Sequence, residues 1–330
     1  MRARVVSDGS VTDLTPSELP AVADSGLLWI DLDHEDRPGM ALLPGLLAVR
    51  SGDLEDCHLR TPVPKMHLYP DHHYTAINGL ARGTDGRLYL QPLKVFQNPR
   101  VVVTVLGPTS SALDGPAARR ELDAVHRRLD RGFRPTASLE LITAIRREML
   151  ATLELLVVSA AERISDIEHR VATAHPVRSE RMLDELFAVR HDLQTIRTSA
   201  AQAQQTYTNL LESTSSNGPE GLLAVDERRV RELRQGFAHL VQTTDLEREF
   251  LQEMLELFQT RVATELNRFV RRVTAWGTIG IAWTVVVGVY GMNVVGLPLA
   301  ESRWGLALIA GSMLASGVAL AALFHRHGWL

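Results

Sequence analysis

The chain reads as an α+β cytoplasmic domain followed by long stalk helices and a two-helix transmembrane hairpin. Three observations predict this. Two C-terminal runs, Val273 to Tyr290 and Trp304 to Phe324, carry no charged residue. Each is roughly 18 to 21 residues, enough for a helix to cross a hydrocarbon core ~30 Å thick. Before them, apolar residues recur at three- and four-residue steps, the period of a helix. Residues 1 to 135 instead hold short β-branched and aromatic runs separated by Gly, Pro, Asp and Asn, the punctuation of strands.

In the α/β part the strand runs are Leu28 to Leu32, His73 to Ile77, Leu88 to Leu90 and Val101 to Leu106, with Thr84-Asp85-Gly86 as a turn. Helical pieces are expected near Pro38 to Arg50 and Pro116 to Arg131. His67, Asp71, His72 and His73 form a local group that could hold zinc, which needs three or four converging ligands. Adjacent residues on a strand face opposite sides, so a polar loop entering a strand is the simpler reading. Residues 136 to 225 read as a helical hairpin. Leu139, Ile142, Ile145, Met149, Leu153 and Leu156 mark its first helix, ended by His175-Pro176. A second helix is expected from Ser179 to Glu212, followed by a loop from Thr214 to Pro219.

Residues 226 to 290 read as one helix that starts at an Asp226 cap and becomes the first span at about Val273. Its apolar seam runs from Val230 to Val273 with gaps at Thr244 and Glu247, and no proline interrupts it. Gly236 is a mild weakness there. Residues 291 to 303 form an external loop, 304 to 324 the second span, and 325 to 330 a tail. Arg268, Arg271 and Arg272 precede the first span, and His325, Arg326 and His327 follow the second. The positive-inside rule then puts both termini in the cytoplasm, in a multi-pass protein of the plasma (inner) membrane.

Composition excludes several classes. With 330 residues and net charge −4, the chain suggests about two domains and lacks the basic face of a nucleic-acid binder. Cys57 is the single cysteine, so no intramolecular disulfide is possible, which suits a cytoplasmic bulk. No apolar stretch follows Arg2 and Arg4, so no cleavable signal peptide is expected. The absence of a Gly-rich phosphate loop argues against ATP-driven pumping, and nothing suggests an enzyme or a cofactor.

One hairpin cannot enclose a water path, but copies around an axis can. Steps of three and four along the long helix pick out Asn267, Val270, Thr274, Gly277, Ile281, Thr284 and Gly288. An amide, two hydroxyls and two glycines among apolar residues are tolerated at membrane depth where they face protein or water. The alternative is close packing of small residues between helices.

Tyr290-Gly291-Met292-Asn293 closes the first of two C-terminal spans, after a long charged helix and before a tail ending Trp329-Leu330. That combination resembles the signature of the CorA superfamily of divalent-cation transporters. Trp29-Ile30-Asp31-Leu32, Leu54-Glu55-Asp56 and Pro64-Lys65 are similar to landmarks of the family's amino-terminal domain. The resemblance implies a funnel-shaped homopentamer in membrane lipid, with the first span lining the pore. It also implies a transported and regulatory divalent cation, magnesium first. Asn267 precedes Gly291 by 24 positions, as the family's pore asparagine does, and Val270, Ile281 and Thr284 fall at pore-facing places.

Magnesium binds hard oxygens and dehydrates reluctantly, so an economical filter holds the hydrated ion with carbonyl and amide oxygens. Gly291 would expose its carbonyl by leaving the helix with an unusual φ, and Asn293 would add an amide oxygen. Met292 is expected to pack behind the turn and Tyr290 to brace the helix end. Glu301 would concentrate cations at the entrance or pair with Arg303. Glu232 and Glu256 are the candidate regulatory ligands implied by the family. The loop Val294 to Glu301, with its Asn-x-x-Gly-x-Pro shape, is closer to the zinc-moving ZntB branch. Two rivals therefore stand: a zinc transporter, proton-coupled or not, and a membrane-anchored coiled-coil scaffold without a pore.

Overall fold

The computed structural model describes the chain except residues 8, 20–25, 61–62, 174–178, 218–226, 293–297, 299–302 and 330, and the side chains of 172–173, 179–181 and 213–217. It divides into two compact units, Met1–Gln252 and Glu253–Leu330.

In the first unit, seven strands form one sheet: β1 (Arg2–Ser7), β2 (Ser10–Leu14), β3 (Leu27–Asp33), β4 (Lys65–Leu68), β5 (His73–Arg82), β6 (Leu88–Gln97) and β7 (Val101–Leu106). Their spatial order is β2-β1-β3-β7-β6-β5-β4. The central pair, β3 and β7, is parallel, in register from Leu28 opposite Val101 to Asp33 opposite Leu106; every other pairing is antiparallel. Both central strands are buried from end to end save Asp33, which is why they read as continuous apolar runs. Strands β1, β2 and β4 were not marked by sequence. The edge strands β2 and β4 are polar and partly exposed, as unprotected edges usually are, and so carry little periodicity. The expected turn is present: Gly86 has φ of +80° and its N–H donates to Gly83 O at 2.9 Å, joining β5 to β6.

Helices cover both faces of this sheet. Helices α1 (Arg37–Leu46) and α2 (Ser51–Cys57) pack on one side, where Leu28, Ile30, Leu43, Phe96 and Val103 form a core. Asp36 caps α1, accepting from Gly39 N at 3.0 Å. Helices α3 (Gly115–Ala118) and α4 (Arg120–Asp130), with the start of α5 (Ser138–Thr173), cover the other side around Trp29, Val102, Leu122, Val125 and Ile145. Of the two helical pieces expected by sequence, the first ends at Leu46, short of Arg50, with α2 a separate helix beyond it, and the second breaks in two at Arg119.

Two further helices complete this unit: α6 (Ser179–Asn217) and the first part of α7 (Glu227–Tyr290). Helix α6 runs on to Asn217, so Thr214 to Asn217, expected as loop, are helical. The proposed stop at His175-Pro176 and cap at Asp226 lie outside the described residues. A third core joins Leu80 and Leu88 to Leu153, Ile196, Tyr207, Val230, Leu233 and Phe237. Thr244, a gap in the expected seam, is fully buried because its hydroxyl donates to Leu240 O at 2.7 Å, a local bond that removes the polar penalty. Gly236 has a packing reason: an added Cβ would meet Leu150 Cδ2 at 2.6 Å. Ion pairs tie the long helices together, among them Arg163–Asp192 at 2.8 Å, Arg197–Asp245 at 2.6 Å and Arg229–Glu140 at 2.9 Å. The bond from Arg197 is the main cause holding the Asp245 carboxyl below its usual range.

The second unit holds the rest of α7 and helix α8 (Gly305–Arg326). Helix α7 is unbroken over 64 residues, about 96 Å at 1.5 Å per residue. Helix α8 ends in a complete Schellman motif. Trp329 N donates to Phe324 O at 2.9 Å, Gly328 N donates to His325 O at 3.1 Å, and Gly328 sits at φ +70°. The accompanying apolar contact is the Trp329 ring stacked on Phe324.

Candidate functional site

The candidate site lies along the last third of α7. Ala275 and Ile279 are buried there, and Ala282, Val286 and Tyr290 are half-buried on the same side. From beside them the Trp283 indole N–H donates to Met313 O of α8 at 2.9 Å. Gly317 receives the Trp283 ring: a Cβ on Gly317 would meet Trp283 Cζ2 at 2.5 Å. This is the face of α7 that meets α8.

Asn267, Val270, Thr274, Gly277, Ile281, Thr284 and Gly288 are all exposed in the single chain. Most of this segment is exposed, so exposure alone distinguishes nothing. Direction does: with 3.6 residues per turn, the mean direction of these seven is roughly 160° from that of the α8-facing residues. The stripe therefore looks away from α8. Among the described residues, no atom outside their own helix comes within 4 Å of a Cβ added at Gly277 or Gly288, so packing against those residues does not require either glycine. The Thr284 hydroxyl donates to Gly280 O at 2.8 Å, which uses its hydrogen and leaves its oxygen lone pairs as acceptors. Asn267 Oδ1 accepts from Arg271 Nε at 3.2 Å.

The end of the helix differs from the sequence expectation in two ways. Gly291 is not in the left-handed region. Its N–H donates to Val287 O at 2.8 Å, and an added Cβ would stand 3.1 Å from that same oxygen. Close approach, rather than unusual φ, is what glycine serves here. Met292 is 59% exposed, so it does not pack behind the turn as expected. Asn293 and Glu301 lie outside the described residues.

The acidic candidates are not brought together. Glu232 accepts from Arg147 at 3.1 Å and from Arg228 at 3.2 Å, one arginine on each oxygen; Glu256 is exposed. Among the described residues no three His, Cys, Asp or Glu side chains converge as a metal site. The histidine group is split: His67 Nδ1 pairs with Asp53 at 2.9 Å, His72 is buried beside Asp71, and His73 lies half-buried on β5. The nearby Cys57 thiol is pushed up to about 12, first by burial, which makes it a poor ligand.

An α/β head, long helices and a C-terminal pair of helices long and apolar enough to cross a bilayer define a two-span membrane protein. Residues 24–326 match the family described as "CorA-like Mg2+ transporter protein". The chain belongs to that family and is a divalent metal-ion transporter, not an enzyme. It is 22% identical over 321 residues to "Putative metal ion transporter YfjQ" of Bacillus subtilis (strain 168), covering 95% of this chain and 93% of that one. It is 24% identical over 109 residues to the "Cobalt/magnesium transport protein CorA" of Thermotoga maritima, 32% of this chain and 31% of that protein. In fold it is similar to the CorA magnesium transporter of Methanocaldococcus jannaschii, with a TM-score of 0.82, 16% identity and coverage of 100% and 98%. The cytoplasmic domain of ZntB from Vibrio parahaemolyticus aligns with a TM-score of 0.61 at 13% identity, covering 81% of this chain and 98% of that one.

Sequence reading missed two features. One is the Trp283–Gly317 contact; its signal was a tryptophan inside one span and a small residue near the middle of the other. The second is Arg146, a charge at the buried spacing of α5, four residues after Ile142 and three before Met149.

Proposed function

We propose that this chain moves hydrated magnesium, and cobalt with it, across the cytoplasmic membrane through a central pore formed by five copies. The observation that carries the reading is the polar stripe from Asn267 to Gly288 on the side of α7 turned away from α8. In an oligomer that side is free to meet its own copies around an axis, while α8 takes the lipid. Magnesium keeps its water, so the pore must offer oxygen acceptors at the distance of a hydrated ion. Thr284 has such lone pairs, and the Gly291 carbonyl and Asn293 amide would supply more at the mouth, with Glu301 focusing cations outside it. Val270 and Ile281 are the apolar positions at which a closed pore would dewet. Glu256 is the first regulatory candidate, since Glu232 already holds two arginines. The chain would sit in the membrane with both termini in the cytoplasm.

The test is flux of magnesium, cobalt and zinc into proteoliposomes, with and without a pH gradient. Asn293→Ala should abolish or deregulate flux while leaving the oligomer assembled. Thr284→Val should lower flux by at least about fivefold, since even one lost acceptor is worth about 1 kcal/mol. Unchanged flux in both variants would overturn the pore. The outer loop, Asn-x-x-Gly-x-Pro, favours a second reading, zinc transport of the ZntB type. Zinc flux driven by a proton gradient, with magnesium excluded, would select it over the first.

A further inference from the structure

Arg146 is 4% exposed, inside the packing of the sheet against the long helices. Its contact in the chain is a 3.9 Å approach of Nη1 to Met149 Sδ, a weak neutral acceptor. No carboxylate pairs with it among the described residues. A guanidinium does not deprotonate in proteins, and a buried charge without a counter-charge is among the costliest placements in a fold. Burial within one chain also denies it to a neighbouring subunit's carboxylate. The counter-charge must therefore be small and must sit inside.

There is a place for it. Arg146 lines a small, partly enclosed cavity with Asn78 of β5, Ser199 and Tyr207 of α6 and Phe237 of α7, with about 10 Å³ open to the centre of a water-sized sphere. That is room for a single-atom ligand, too little for phosphate or a carboxylic acid. Tyr207 is 8% exposed, its ring stacks on Phe237 at 5.7 Å, and its hydroxyl has no hydrogen-bond partner among the described residues. Burial pushes the Tyr207 phenol up, so it stays protonated as a donor and cannot itself neutralise the arginine. Water would accept a hydrogen bond here but would leave the charge.

We propose that this cavity is a halide site, in which one chloride ion accepts from the Arg146 guanidinium and the Tyr207 hydroxyl. The ion neutralises Arg146 and bridges α5 to α6 beside β5 and α7. It stabilises the cytoplasmic head and takes no part in cation transport.

The experiment is thermal unfolding of the full-length chain in detergent, in sodium chloride, bromide or gluconate at equal ionic strength. Chloride and bromide should raise the midpoint by about 3 °C per tenfold increase in concentration, as a ligand of the folded state does, and gluconate should not. Arg146→Met should lose that dependence. Equal midpoints in chloride and gluconate, or an unchanged chloride response in Arg146→Met, would overturn the site. Should Arg146→Met fail to fold, anomalous diffraction from wild-type crystals grown in bromide decides. A bromide peak between Arg146 and Tyr207 supports the proposal, and a cavity without one refutes it.

Discussion

Asp31 shows how one residue organises a domain. It lies in the centre of the sheet, 1% exposed. It accepts from the Thr104 hydroxyl at 3.0 Å and from Arg119, and it faces His126 Nε2 at 3.4 Å. His126 in turn stacks on Trp29 with ring centroids 3.8 Å apart. The segment Trp29-Ile30-Asp31-Leu32 was legible as a strand, but the purpose of its carboxylate was not, because the partners lie some 70 to 95 positions away. Burial holds His126 below its usual range despite Asp31 pulling it up, and its Nδ1 is buried without a partner among the described residues, so a second proton would find no acceptor among them. The sign follows: above pH ~6.5 the histidine is neutral folded or unfolded, and stability is full. Below that the unfolded chain takes up the proton first, and stability falls until the folded pKa is reached. His73, also lowered first by burial, acts in the same direction. The thermal midpoint should therefore drop as the pH falls below ~6.5, and His126→Gln should flatten that slope; an identical slope would remove His126 as the cause. Asp31→Asn should cost about 3 kcal/mol in urea unfolding, the usual loss on breaking a buried charged pair.

At the scale of elements, a close contact at Trp283 joins the helices of the second unit. Trp283 lays its ring against Gly317 and gives its N–H to Met313 O, so an indole in an apolar span is satisfied without water. Gly317→Ala should lower the thermal stability of the solubilised protein by about 1–3 kcal/mol, the range for an overpacked site. Trp283→Leu should recover part of that loss by making room. If Gly317→Ala is neutral and Trp283→Leu does not interact with it, the contact carries no weight. The apolar character of both spans was readable from composition alone. Which glycine is crowded was not: Gly277, Gly280, Gly288 and Gly311 look similar in sequence, yet among the described residues no other part of the chain comes within 4 Å of a Cβ added at any of them.

At the scale of the whole molecule, a single chain leaves much apolar surface bare. Phe269, Val273, Trp276, Ile281, Leu306 and Val318 are each more than half exposed, far beyond what a soluble monomer tolerates. In the proposed pore, lipid would cover part of this surface and copies of the chain would cover the side that carries polar groups, where lipid would be a poor neighbour. In nanodiscs the mass of protein should be five times the 36.5 kDa chain. A single copy per disc with intact ion flux would end the shared-pore reading.

Length, charge and hydropathy determined by themselves that two spans end this chain, that a long helix leads into them and that the head mixes strands with helices. These properties are local, set by periods of two or 3.6 residues and by runs without charge. Only the tertiary structure decided that α7 meets α8 through Trp283, that Asp31 binds α4 to the sheet and that Arg146 is enclosed without a carboxylate among the described residues. Each joins residues far apart in the chain, and what a buried polar group costs or contributes depends on neighbours that folding alone brings to it.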